Sequence, residues 1–191
     1  MGRLTVEQIV TADGYAADSN GGLDFFGAVD DFQATDADQL AFLDGVDAIL
    51  LGANTYRMFA AYWPTADPAV EPVAEPIARL PKFVTSNTLS AAPWGDGAAE
   101  VLRGDGVETV ARLKERFRHV VVWGSLTLTD ALFRAGLVDH LRLRTVPVLL
   151  GEGRSFTPSE LGRRRLELDY VATQPSGHVD ATYRVRAPDR T

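Results

Sequence analysis

The residues best placed to do chemistry fall at two glycine turns. In Leu51-Gly52-Ala53-Asn54-Thr55 and in Trp123-Gly124-Ser125-Leu126-Thr127 an apolar, strand-like run stops at glycine and a helix-like segment follows. At such a place in an open α/β sheet the chain can approach a phosphate closely, and the helix start offers unpaired N–H groups. Neither turn matches the dinucleotide fingerprint G-x-G-x-x-G or the phosphate loop G-x-x-x-x-G-K-[ST]. Ser125 lacks the second glycine of a nucleophile elbow, and no histidine and acid stand ready to activate it, which argues against a hydrolase. The histidines, His119, His140 and His178, show no i, i+4 pairing with a carboxylate cluster, so no metal is expected. Arg142 and Arg144 share one face of a strand, and Arg154 follows the Gly151-Glu152-Gly153 turn. They suit either a substrate phosphate or a solvated sheet face or dimer rim.

The elements that must position these residues alternate. Leu4–Thr11 reads as a strand ending at the Asp13-Gly14 turn, followed by a loop at Asp18–Gly22. Asp30–Leu43 carries apolar residues at helical spacing with acids near its start, and Gly45 ends it. Val46–Leu51 is too short and apolar for a helix and reads as a strand, after which Asn54 caps a helix over Thr55–Tyr62. Pro64–Pro81 holds five of the ten prolines and is expected to wrap over the surface without regular structure. Lys82–Ser86 and Ala98–Leu102 read as strands, Val107–Phe117 as a helix and His119–Trp123 as a buried strand. Thr127–Ala135 reads as a helix with Thr127 or Thr129 as cap and Gly136 as stop. Leu141–Leu150, Arg164–Thr173 and Val179–Arg186 then follow as consecutive strands. Alternating units followed by a meander predict an α/β fold with a mixed, mostly parallel sheet, antiparallel at its C-terminal end.

The chain has 191 residues, of which 46% are hydrophobic and 24% charged, which fits one domain over 1–191. A formal net charge of −7 disfavours nucleic acid and anionic lipid as partners. The absence of cysteine excludes disulfides, thiolate chemistry and iron–sulfur clusters, and agrees with a cytoplasmic setting. Glu7 stands where a signal peptide would carry its apolar core, so the mature chain is expected to begin at Met1, and no apolar run approaches a membrane span.

Several stretches together resemble the dihydrofolate reductase-like superfamily, and within it stand-alone reductase domains similar to the C-terminal half of RibD. They are Thr11-Ala12-Asp13-Gly14-Tyr15, Leu50–Tyr56, Phe83-Val84-Thr85-Ser86, Val121–Leu126, and Ala135–Leu141 running into Val146–Gly153. The resemblance covers nearly the whole chain, and its last pair of segments is the most specific. It implies a three-layer fold with about eight strands and NADPH bound across the sheet edge. Gly52, Asn54 and Thr55 then resemble the turn that takes the pyrophosphate, and Thr85, Ser86, Asn87 and Arg103 the region around the adenosine 2′-phosphate. Gly124, Ser125 and Leu126 resemble the second turn, and Ile9, Val10 and Ala16 the nicotinamide pocket. Ala53 departs from the family pattern, in which arginine follows the first glycine. That loss leaves NADH open beside NADPH, with Arg57 or Arg103 as substitutes for the missing guanidinium.

For the substrate, the resemblance implies a pteridine or a ribosylaminopyrimidine, as in riboflavin biosynthesis. Asp36 occupies about the spacing of the acid that holds the pterin and supports its protonation in dihydrofolate reductases, which makes it the candidate catalytic acid, although it also belongs to an acid-rich helix start. Asp13, Tyr15 and Arg144 are the candidate substrate contacts. The missing cysteines mean that a RibD-type zinc deaminase site is absent. The resemblance also implies a homodimer formed through the late strands, with Val146–Leu150 as the apolar contact. The other reading is a non-catalytic nucleotide-binding protein that keeps the fold.

Overall fold

The computed structural model describes residues 1–28 and 36–186, the side chains of Ala28 and Asp36 excepted. In chain order the first half comprises β1 (Arg3–Thr11), β2 (Tyr15–Ala17), α1 (Asp36–Asp44), β3 (Ala48–Gly52), α2 (Ala53–Tyr62) and α3 (Ala74–Arg79). The middle comprises β4 (Lys82–Thr85), β5 (Pro93–Trp94), β6 (Gly97–Ala98), β7 (Glu100–Leu102), α4 (Gly106–Arg116), β8 (His119–Trp123) and α5 (Leu126–Arg134). The last part is β9 (His140–Val146), β10 (Arg154–Ser155), β11 (Leu166–Thr173) and β12 (Val179–Val185).

One eight-stranded sheet, in the order β11-β12-β9-β1-β8-β3-β4-β7, forms the middle layer. The strands from β9 to β7 pair in parallel, while β12 runs antiparallel to both β9 and β11. This is the expected mixed sheet. Period-two alternation assigns the two faces. Leu4, Val6, Val120 and Val122 pack with Val110 and Leu113 of α4 and Leu128 and Leu132 of α5. Ile49, Leu51, Val121 and Trp123 pack on the other side with Leu43 of α1, Tyr56 of α2 and Ile77 of α3. Each fully buried aliphatic side chain contributes roughly 1.5–3 kcal/mol, so the central strands carry most of the stabilising area.

The two segments most specific to the family likeness are structural clasps. Asp139 Oδ2 accepts from Leu4 N at 2.7 Å and from Lys114 Nζ at 2.6 Å, tying β1, α4 and the start of β9 together. Asp13 accepts from Thr11 Oγ1 at 2.6 Å, Gly151 N at 2.8 Å and Leu150 N at 3.1 Å, pinning the chain after β9 to the turn after β1. These bonds, that from Thr11 foremost, hold the Asp13 carboxyl below the usual carboxylate range.

Some boundaries differ from expectation. Of the expected helix at Asp30–Leu43, residues 30–35 lie outside the described residues, and α1 runs from Asp36 to Asp44. Asn54 does not cap α2: Gly52 is the N-cap, and Asn54 lies within the first turn, where its Oδ1 accepts from Arg57 Nη1 at 2.8 Å. Likewise Ser125, not Thr127 or Thr129, is the N-cap of α5. The proline-rich stretch contains α3, because Pro76 falls in its first turn, where a missing N–H costs no helical hydrogen bond. The strand expected over Leu141–Leu150 stops at Val146, where Pro147 removes a ladder donor. Among the described residues no helix is long and apolar enough to cross a membrane.

Candidate functional site

β3 and β8 are neighbours, so their carboxyl ends bring the two glycine turns together. They touch directly. A Cβ on Gly52 would meet Ser125, with Oγ at 2.9 Å and N at 3.1 Å, and a Cβ on Gly124 would run into Thr55, with Cγ2 at 3.2 Å. Gly124 also has φ +52, a left-handed backbone that side chains disfavour, and the Gly124–Ser125 peptide is cis. Neither Gly52 before α2 nor Ser125 before α5 makes a side-chain capping bond. Two helix starts therefore present uncapped N–H groups side by side, and the dipole of each favours an anion there.

A cavity of about 1020 Å³ opens over this edge. Among the expected site residues, Ile9, Ala16, Asn54, Thr55, Gly124, Ser125, Leu126 and Arg144 line it. The segment Asp18–Gly21 forms part of the rim, with Asp18 Oδ1 accepting from Asn20 N and Gly22 N, both at 2.8 Å.

Other expected residues lie elsewhere. Val10 points away from Ile9 by strand alternation and is buried behind the wall. Gly52 sits beneath Ser125 and so supports the cavity without facing it. Thr85, Ser86, Asn87 and Arg103 gather at the ends of β4 and β7, farther along the same carboxyl edge and outside the cavity wall. There Arg103 donates to the carbonyls of Asn87 at 3.3 Å and Leu89 at 2.5 Å, and Asn87 Oδ1 accepts from Gly104 N at 2.8 Å. Asp13 and Tyr15, the other expected substrate contacts, do not line this cavity. The Asp13 carboxylate is taken up by the clasp, and Tyr15 OH donates to Gly151 O at 3.5 Å. The Asp36 side chain lies outside the described residues.

The structure adds residues that sequence reasoning missed. Glu7, in mid-strand on β1, lines the cavity and is buried with 6% of its surface exposed. Its Oε1 accepts from Gln39 Nε2 at 2.9 Å and from Trp123 Nε1 at 3.0 Å. Its Oε2 lies 3.0 Å from Arg142 Nε without a well-directed hydrogen bond. Strand register explains the meeting, since Glu7 is directly opposite both Trp123 and Arg142. Arg142 also donates to Asp38, which accepts from Tyr170 OH at 2.6 Å, and Arg144 Nε pairs with Asp180 at 3.2 Å. Burial disfavours the charge on Arg142, but Glu7, Asp38 and Asp180 outweigh it and raise its pKa. Burial likewise acts most strongly on Asp38, yet its bonds to Tyr170 and Arg142 leave its pKa lowered. Arg142 and Arg144 thus form a buried ion-pair layer, not a solvated face. The one available signal was a carboxylate interrupting an apolar strand.

Beside Glu7 the wall is aromatic. Phe59 lies 5.7 Å from Trp123 and 6.1 Å from Trp63, ring centre to ring centre, and all three line the cavity.

The sequence profile of the RibD C-terminal domain matches residues 3–179. The chain belongs to that family. It is 29% identical over 184 residues to the uncharacterized protein YyaP of Bacillus subtilis (strain 168), covering 95% of this chain and 94% of that one. A solved putative riboflavin biosynthesis protein from Shewanella sp. PV-4 superposes with a TM-score of 0.77 at 22% identity, covering 97% of this chain and 99% of that one. Dihydrofolate reductase from Enterococcus faecalis, complexed with NADP(H), superposes with a TM-score of 0.65 at 12% identity, covering 97% and 98%. The fold of this RibD C-terminal family member is therefore dihydrofolate reductase-like.

Proposed function

We propose that this protein is an NADPH-dependent reductase acting on a nitrogen heterocycle of the pteridine or ribosylaminopyrimidine kind. One observation carries the reading: two uncapped helix starts, abutting through Gly52 and Gly124, open on a cavity large enough for a dinucleotide and a small second molecule. The fit to the cofactor rests on that cradle, which needs glycine at both positions because a Cβ at either would collide with the opposite turn. Thr55, Ser125 and Leu126 would hold the pyrophosphate through N–H and hydroxyl groups, and Ile9 and Ala16 would flank the nicotinamide. When bound, NADPH supplies hydride. The residues of the chain bind and orient the two partners, and Phe59, Trp63 and Trp123 keep water from the space between them. The likeness of fold to a dihydrofolate reductase complexed with NADP(H) supports NADPH, and nothing in the comparisons favours NADH.

Titration of the protein with NADPH, followed by quenching of tryptophan fluorescence, tests the cofactor site. Saturable quenching with a rise in melting temperature is expected, and no response to NADPH would remove the reductase reading. Gly124→Ala should abolish the quenching, because its Cβ would collide with Thr55.

The proposal includes a homodimer in the cytoplasm. Of the expected Val146–Leu150 contact, Val146 is buried while Leu149 is 74% exposed. The edge strand β11 supports a wider contact, with Leu168 58% and Val171 52% exposed.

A further inference from the structure

We infer that Arg57 is the cation of the phosphate-binding edge: the Asn54 side chain holds its guanidinium over the start of α2, where it neutralises a diphosphate lying between the two glycine turns. The inference rests on the reductase reading for the identity of the ligand, and it adds a residue that the reading does not use. The edge needs such a charge. Glu7, Asp18 and Glu71 all line the cavity, and the whole chain carries a formal net charge of −7. The two uncapped helix starts supply only partial charges, roughly +0.5 each, against the full negative charges of a diphosphate. The guanidiniums in the cavity wall are paired, Arg144 with Asp180 and Arg154 with Asp130. Arg103 lies farther along the edge, outside the cavity wall, and donates to the carbonyls of Asn87 and Leu89.

Arg57 is placed differently. It follows Asn54 by one helical turn on α2, so the two share a side of the helix, and long helical side chains lean toward the N-terminus. Its Nη1 donates to Asn54 Oδ1 at 2.8 Å, which carries the guanidinium back over the first turn. Asn54 itself lines the cavity. Met58, next in the chain to Arg57, also lines it and is 50% exposed, so the cavity opens to solvent beside this turn. The bond to Asn54 uses a single donor of the guanidinium fork, and its acceptor is a neutral amide. Among the described residues no carboxylate pairs with Arg57, which is exposed. A cation at a helix start opposes the dipole, and α2 has no acid in its first turn to offset it. A diphosphate removes that conflict, because it accepts from the uncapped N–H groups and from the open side of the guanidinium together.

The test uses the intact protein, its Arg57→Ala and Arg57→Lys variants, and three probes: inorganic pyrophosphate, NADPH and NADH. Binding is read by calorimetry at low and high salt. Because Arg57 is exposed, both variants should fold as the parent does, which circular dichroism checks. Pyrophosphate should bind the unaltered protein, and Arg57→Ala should weaken it by about fivefold or more, with a shallower salt dependence. NADPH and NADH should weaken by the same factor as each other, since both carry the diphosphate. Arg57→Lys should recover part of the loss, keeping the charge without the planar fork. Failure of pyrophosphate to bind the unaltered protein, an unchanged affinity in Arg57→Ala, or a loss confined to NADPH would overturn the assignment, the last by moving Arg57 to the 2′-phosphate. If neither NADPH nor NADH binds the unaltered protein while pyrophosphate binding still depends on Arg57, the reductase reading falls and the anion site stands.

Discussion

Glu7 and Arg142 show how much a single buried charge matters here. Each is held by partners more than thirty residues away in the chain, and both are buried. Arg142→Met should therefore destabilise the protein by about 3–5 kcal/mol in urea denaturation, since it leaves Glu7 and Asp38 buried without their cation. A loss below 1 kcal/mol would mean that the carboxylates find other partners. Gly124→Ala should lose about 1–2 kcal/mol from its left-handed backbone alone, before any collision with Thr55 is added. The type of each of these residues was plain in the sequence, and so was the shared face of Arg142 and Arg144. Their partners were not, because strand periodicity states which face a side chain takes and says nothing about which strand lies beside it.

At the level of elements, local chemistry was legible wherever the chain satisfies its own backbone. Helix α4 is the clear case: Asp105 Oδ1 accepts from Val107 N at 2.8 Å and Glu108 N at 3.0 Å, while Val110 and Leu113 face the core. Asp105→Ala should cost about 1 kcal/mol, visible as a fall of roughly 2–4 °C in melting temperature. No fall would show that packing alone holds the first turn. Helices α2 and α5 lack such caps, and there the expected cap residues, Asn54 and Thr127 or Thr129, were misplaced. The reason is physical. These helices start directly from buried strand ends, where close contact between the turns leaves no room for a side chain at Gly52 and holds Ser125 without a capping bond, so their first N–H groups stay uncapped.

For the molecule as a whole, acid should be the main stress. Burial, above all, lowers the pKa of His119 to about 4 from 6.5, and burial also lowers those of His140 and His178. The unfolded chain then takes up protons first, so stability is complete above about pH 6.5 and falls as the pH drops toward 4. His119 alone should account for on the order of 2 kcal/mol. The melting temperature should decline across that window, and His119→Gln should flatten the decline. A flat profile in the unaltered protein would refute the burial argument. Assembly belongs to this scale too: Leu168→Glu on the exposed edge of β11 should convert the proposed homodimer to monomer in light scattering, and a protein already monomeric at micromolar concentration would dispose of that contact.

The sequence by itself determined the order of the eight strands of the main sheet and of α2, α4 and α5, the two glycine turns and the parallel-then-antiparallel plan, because these follow from periodicity, chain stiffness and turn chemistry among near neighbours. Tertiary structure alone decided that β1 lies between β8 and β9. That order places residues 7, 123 and 142 in one register, turning a lone glutamate and a tryptophan into part of a cavity wall backed by an arginine. It also drew Asp13 away from the site, since a carboxylate ringed by backbone N–H groups gains more from closing a loop than from facing open solvent.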